Sequence, residues 1–475
     1  MNYHSKGFLL ECHLINKDFE LMSKELSKKT NYSDLTEGSI WKKLVIYFLP
    51  IAAGTLFQQL YNAVDAIIVS RFVGTEALAA VGGSPATLTQ LVIGFFVALS
   101  SGAAVVIAQY CGAKEKEKIT IAVRSSVYLC IALGIMLTIL MYFLANPILM
   151  LLKTPEETLA DAAVYVRIYY SGSIFLLVFN MGSGILRAIG DSKRPFLYLV
   201  VSCVANIILD LLFVVVFHMG VPGVAWATMI AQAISCILVI IRLLRTKEYY
   251  RLDISSLKID FFILKKMLAI GIPSGLQSAM YGISNIILQV GVNTLGTVVV
   301  ASWSMSGKLD GVYWAVSSAF GTAIMNFVAQ NYGAGKHDRI KACAKTGFCL
   351  FLSGTVVISG LLLLLARPLL HIFTTDVQVI DTTWTIMLCF VPFYVTWTLV
   401  ETLSGILRGV GDAVKPTIIT ALGVCALRIV WVLTAFHFFP TLICLSLCYP
   451  VSWIVTDIAL LIYYRKRSKV NFVKI

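Results

Sequence analysis

Apolar runs of about 20 residues or more recur from residue 44 to residue 464, separated mostly by short polar loops. As a helix, a run of that length crosses a hydrocarbon core of about 30 Å. The pattern predicts twelve spans: about 44–72, 77–110, 121–144, 162–187, 195–217 and 221–244, then 262–295, 298–332, 342–365, 382–408, 416–438 and 442–464. The short alternating segments of a membrane β-barrel are absent. The longest polar connection follows Leu244 and divides the spans six plus six. The expected parts are an N-terminal cytoplasmic segment (1–39), a first lobe (40–244), a cytoplasmic linker (245–261), a second lobe (262–464) and a basic tail (465–475).

The two sixes repeat one another. Ser183-Gly-Ile-Leu-Arg187-Ala-Ile-Gly190-Asp191-Ser-Lys-Arg-Pro195 returns as Ser404-Gly-Ile-Leu-Arg408-Gly-Val-Gly411-Asp412-Ala-Val-Lys-Pro416. Ala108-Gln109-Tyr-Cys-Gly112-Ala113 corresponds to Ala329-Gln330-Asn-Tyr-Gly333-Ala334, and Pro50 and Asn62 match Pro273 and Asn285 at equal spacing. The period is far too long for a solenoid. It marks a duplicated half-protein, whose copies share one orientation about an axis along the membrane normal. The fold class expected is an all-α polytopic membrane protein: twelve transmembrane helices in two six-helix lobes related by pseudo-two-fold symmetry.

Composition strengthens this. Of 475 residues, 58% are hydrophobic and only 13% charged, against about 25% charged in soluble proteins. The formal charge of +13 raises the question of nucleic acid. The basic residues instead gather in alternate loops: Lys114, Lys116, Lys118 and Arg124; Arg187, Lys193 and Arg194; the central linker with Lys258; Lys336, Arg339 and Lys341; Arg408 and Lys415; and Arg465 to Lys469. The opposite loops hold little beyond Arg71, Lys153 and Arg367. That asymmetry places the basic loops and both termini in the cytoplasm, in a multi-pass protein of the plasma (inner) membrane. The 11 cysteines are scattered without a CxxC pair, and the six histidines lack ligand spacing. Residues 1–30 show no cleavable signal, and Met22 is an alternative start.

Duplication separates scaffold from chemistry, since scaffold features recur in both halves. Gln58, Tyr61, Asn62 and Asp65 share a face of the first span. The second half places Tyr281, Ser284, Asn285 and Leu288 there, without the acid. Asn206 and Asp210 stack on one face of the fifth span, and their counterparts are Leu427 and Trp431. A carboxylate near the bilayer centre costs about 2.5–3.5 kcal/mol. Two close carboxylates in a low dielectric cannot both stay ionised without a cation, so such a pair holds a proton or trades it for sodium. Capping a broken helix, or a bond from Asn206, is the structural alternative.

The second half has its own charges. Glu401 and Arg428 are expected to pair with each other, structurally or as a secondary site. Lys308 and Asp310 lie near the start of the eighth span and within reach of a cavity. Asp457 is expected to meet the basic tail. Arg187 and Arg408 recur in both halves, which favours turn and topology roles.

These residues resemble the multidrug and toxic compound extrusion (MATE) transporters over about Ile40 to Tyr464. The paired Leu-Arg-Gly/Ala-x-Gly-Asp loops are the specific signal. The resemblance implies export of organic cations and other amphipathic compounds in exchange for H+ or Na+, by alternating access of the two lobes, with no cofactor. The chain looks like the prokaryotic DinF-like branch, which implies a cation site at Asp65, Asn206, Asp210 and Thr228, holding Na+ if sodium is the ion. It implies a coupling bend at Pro50. Cavity candidates are Gln58, Tyr61, Asn62, Tyr281, Asn285 and Trp314. The expected partners are small organic molecules and the bilayer, with no nucleic acid, for a monomer. A lipid-linked precursor flippase is the alternative, but it would favour a markedly cationic cavity. HExxH, GxSxG and clustered histidines are absent, which argues against an enzyme.

Overall fold

The computed structural model describes residues 34–255, 259–470 and 472, with nothing said of the Thr75 side chain. Met22 and Lys258 lie outside the described residues. The first half runs α1 (Ile40–Phe72), α2 (Thr75–Gly82), α3 (Ser84–Gly112), α4 (Lys116–Leu151), α5 (Glu156–Ser171), α6 (Ser173–Ala188), α7 (Lys193–Asp210) and α8 (Gly220–Arg245). The second runs α9 (Phe261–Asn293), α10 (Thr297–Gly333), α11 (His337–Phe373), α12 (Val377–Phe390), α13 (Tyr394–Gly409), α14 (Val414–Thr420), α15 (Leu427–Leu433), α16 (Ala435–Phe438) and α17 (Leu442–Lys469).

Among the described residues, 10 helices are long and apolar enough to cross a membrane alone, and the pair α5–α6, bent by 48°, makes an eleventh. The seventh span that the sequence predicts corresponds to α9, with 33 residues. At about 1.5 Å per residue it is long enough. Its hydropathy is lower because Ser274, Gln277, Ser278, Tyr281, Asn285 and Gln289 form a polar face on the central cavity. Large apolar side chains such as Phe143, Leu364 and Ile372 point outward, and Leu151 is 82% exposed. Lipid, as the solvent, makes that surface favourable.

The halves match down to their irregularities. The α5–α6 break falls at Gly172, and the α12–α13 break at Val391–Phe393. Counted from the two Gly-Asp loops, these are the same place. The two breaks differ in chemistry: Gly172 packs closely against α8, where a Cβ would lie 2.6 Å from Met229 Cγ, whereas Pro392 removes a backbone donor. Gly190 and Gly411 take φ of 93° and 89°, where a Cβ is strained. In both loops the following aspartate N–H reaches back 2.9 Å to a carbonyl, Leu186 or Leu407.

The lobes are joined at the basic-loop end by reciprocal contacts. Gln109 Nε2 donates to Gly409 O at 2.9 Å, and Gln330 Nε2 donates to Ala188 O at 2.7 Å. A Cβ on Gly112 would strike Gln330 O, and one on Gly333 would strike Gln109 O. Glycine is thus required by close approach on both sides of the pseudo-axis. The strand of chain before α1 adds a strap: Asn331 and Arg339 both donate to Leu35 O. Leu35, Leu44 and Tyr47 are buried in the second lobe's core beside Phe327 and Val328. The first helix therefore begins within the packing of the other lobe.

Candidate cation and substrate sites

Four helices of the first lobe bring its polar residues together. Asp65 on α1 is half-buried, while Asn206 and Asp210 on α7 and Thr228 on α8 are buried. The Asp65 and Asp210 carboxyls lie within direct interaction range of each other. Two carboxylates offer only acceptors, so a pair this close is satisfied by a shared proton or a bound cation. With its amide turned to satisfy its neighbours, Asn206 donates to Asp210 Oδ2 at 2.8 Å and accepts from the Thr228 N–H at 3.2 Å. Tyr61 lies within interaction range of Thr228. Tyr165 and Tyr169 on α5 stack 5.8 Å apart, within electrostatic range of Asp65. Gln232 donates to Tyr169 Oη at 3.4 Å.

Oδ1 of Asp65 and Oδ1 of Asp210 are both buried without a partner. Buried acceptors left open are costly, and a bound cation would satisfy them. The donor set is all oxygen, with one carboxyl group from each of two helices. It suits a proton or a hard monovalent ion. Directly after Asp210 the helix widens into a π-turn, Leu211–Val216, a distortion common at functional positions.

The same place in the second lobe is a plug. Leu288, the counterpart of Asp65, packs with Val292, Phe436, Leu445 and Cys448, and Trp431 joins the cluster. Trp431 Nε1 donates to Cys444 O at 2.9 Å.

A separate cavity of about 880 Å³ lies between the lobes. Gln90, Gln289 and Trp303 line it, which carries it to within about two turns of the helix ends remote from the basic loops. Its charged lining is Arg187, Asp310, Glu401, Arg408 and Arg428. Asp310 Oδ2 accepts from Trp314 Nε1 at 3.2 Å and from Tyr394 Oη at 3.0 Å. An aromatic wall continues through Trp397, Trp453, Tyr449, Phe390 and Trp303, with neighbouring ring centroids 5.2–6.5 Å apart.

A family model described as MatE matches residues 50–212 and 273–434, one match per half. The chain belongs to the MatE family. MatE proteins are transporters, and this chain is a transporter rather than an enzyme. It is 26% identical over 439 residues to the probable multidrug resistance protein YoeA of Bacillus subtilis, covering 90% of this chain and 94% of that one. It is 24% identical over 349 residues to the multidrug export protein MepA of Staphylococcus aureus, covering 72% and 75%. The fold superposes with TM-score 0.87, at 22% identity, on an outward-facing conformation of a multidrug resistance MATE family transporter, covering 93% of this chain and 99% of that chain. It superposes with TM-score 0.88, at 24% identity, on a transporter from Pyrococcus furiosus whose binding pocket is described as reversed in polarity, covering 94% and 99%.

Several sequence-predicted residues sit elsewhere in this MatE chain. Tyr281, Asn285 and Trp314 line the cavity, and Gln58, Tyr61 and Asn62 are not among its lining residues. Gln58 and Asn62 are exposed, and Tyr61 joins the aspartates. Glu401 does not pair with Arg428. It pairs with Arg408, two turns along its own helix, at 3.7 Å, because Gly321 leaves room for it against α10. Lys308 is exposed and lies over the Phe373 ring at 5.8 Å, away from the cavity. Asp457 is 8% exposed, and its Oδ1 is buried without a partner. The tail residue Arg467 turns to Asp412 instead, at 3.2 Å. Tyr165, Tyr169 and Gln232 were not legible in the sequence. The i, i+4 spacing of Tyr449 and Trp453 was the available trace of the aromatic wall, but such spacing also describes ordinary packing.

Proposed function

We propose that this protein is a secondary antiporter that exports amphipathic or cationic organic compounds in exchange for H+ or Na+, by alternating access of two lobes. The observation that carries the reading is the Asp65–Asp210 pair with its two open buried oxygens, present in one lobe and replaced by an apolar plug in the other. The names of the relatives support the substrate class, and the acid set supports the DinF-like branch. With the basic loops in the cytoplasm, the cavity faces outward and the glutamine seam closes the inner side. Residues 40–244 and 262–464 are the moving bodies, and one chain supplies both walls, so a monomer suffices.

In this scheme α1 links the sites. It carries Asp65 in the first lobe, and its start is packed into the second. Pro50 lies between, where a missing backbone donor makes bending easier. Asp65 and Asp210 alternate between the coupling cation and a substrate-releasing state, assisted by Asn206 and Thr228. One pH unit is worth about 1.36 kcal/mol, and 100 mV about 2.3 kcal/mol per charge. Exchange of one H+ for a monovalent cation moves no net charge, so one pH unit sustains about tenfold accumulation. A net-neutral substrate draws on both terms and reaches several hundredfold.

The test is efflux from proteoliposomes under separately imposed pH and sodium gradients, with Asp65→Asn beside the wild type. Wild-type export should follow one gradient, and the variant should lose that response. Export by Asp65→Asn that still follows the gradient overturns the site.

A further inference from the structure

Arg428 is 5% exposed and lines the cavity. Its Nε donates to Ser452 Oγ at 3.2 Å, and its guanidinium lies 4.1 Å from the centroid of the Tyr449 ring. Among the described residues no carboxylate pairs with it, since Glu401 is taken by Arg408. An arginine presents five donors, and these contacts use one N–H and a π-face. A buried guanidinium without a counter-ion is unfavourable unless something else supplies the negative charge.

The duplication makes the position more telling. Counted from the Gly-Asp loops, Tyr449 stands where the first lobe has Thr228, and Arg428 stands beside the counterpart of Asn206. The first lobe holds two acids here, whereas the second lobe has an apolar plug and, beside it, a cation that lines the cavity. The π-turn Ala421–Ala426 ends just before Arg428, as the first lobe's begins just after Asp210. Asp310 lines the same cavity and shares with Arg428 an electrostatic influence on Tyr449. Both signs of charge therefore meet one aromatic wall.

We propose that Arg428 is the carboxylate-binding residue of a subsite for zwitterionic aromatic compounds. Its free guanidinium edge holds the carboxylate through two parallel N–H donors. The wall formed by Trp303, Tyr449 and Trp453 covers the ring system, and Asp310 faces the cationic part. This rests on the reading of the cavity as the substrate site.

The probes are a rhodamine with a free carboxylate and its methyl ester, which share one cationic ring system. Binding to the purified full-length protein in detergent is read by fluorescence polarisation, without any gradient. Wild type should bind the acid about tenfold or more tightly than the ester. Arg428→Gln should erase that preference while keeping its affinity for the ester, and Arg428→Lys should restore part of it. Asp65→Asn should keep the preference, so a failure of ion coupling does not imitate a failure of this subsite. Equal wild-type affinity for acid and ester overturns the proposal without any variant. So does equal weakening of both dyes in Arg428→Gln, or loss of the preference in Arg187→Gln but not in Arg428→Gln. Absence of binding of either dye to wild type overturns the subsite while the gradient-driven efflux test still judges the antiporter reading.

Discussion

Asn206 carries more of the first-lobe site than its neutral side chain suggests. It ties Asp210 Oδ2 to the α8 backbone at Thr228, so it positions one acid against the other. Asn206→Ala leaves a buried carboxyl oxygen open, at a cost of about 1–3 kcal/mol. We expect about tenfold weaker dependence on the coupling ion in proteoliposome efflux, with the response displaced rather than abolished. Asp65→Asn, in contrast, should abolish it. Unchanged ion dependence in Asn206→Ala would show that the acids hold their own geometry. In the second lobe, Glu401→Gln leaves Arg408 without an acid near the cavity. The purified variant should melt at a somewhat lower temperature than wild type, because a half-buried charge loses its partner.

Among the elements, the two Gly-Asp turns are the sharpest test of backbone control. Gly411 has φ of 89°, and an alanine there costs about 1–2 kcal/mol. Gly354, inside α11, has nothing within 4 Å of an added Cβ, so alanine there is neutral or stabilising by up to about 1 kcal/mol. Thermal melting in detergent should separate them, with Gly411→Ala lower than wild type and Gly354→Ala level with it or higher. Equal melting of the two would mean that the turn does not hold its conformation. The boundaries of α1, α8 and α17 lie within a few residues of the apolar pattern. The breaks at Gly172 and Pro392 do not show in that pattern, because hydropathy records burial against lipid and not helix direction.

The whole molecule is held in this state by the seam at Gln109 and Gln330. Removing one neutral hydrogen bond shifts an equilibrium by about 1 kcal/mol. Gln109→Ala with Gln330→Ala should therefore move the balance between lobe arrangements by about 2 kcal/mol, or about thirtyfold. Spin labels at Glu117→Cys and Lys345→Cys, in a background without reactive thiols, report the separation of the two lobes at that end. A new population at longer distance is expected in the double variant. An unchanged distribution would mean that the strap at Leu35 and the glycine contacts suffice to hold the seam.

The sequence by itself determined the series of long apolar helices, the duplication and the asymmetry that puts Asp65 and Asp210 in one half, because span length, repeated turns and rare intramembrane charges are local properties of the chain. It also placed Asn206 four residues from Asp210, which on a helix settles that they share a face. Only the tertiary structure decided which groups meet. Glu401 turned to Arg408 and not Arg428, since the space made by Gly321 belongs to another helix. Asp457 stayed buried while the tail's Arg467 turned to Asp412, and Gln58 stayed outside the cavity that Tyr281 and Asn285 line. The angle at which one helix packs against the next fixes those partners, and no spacing along a single helix encodes that angle.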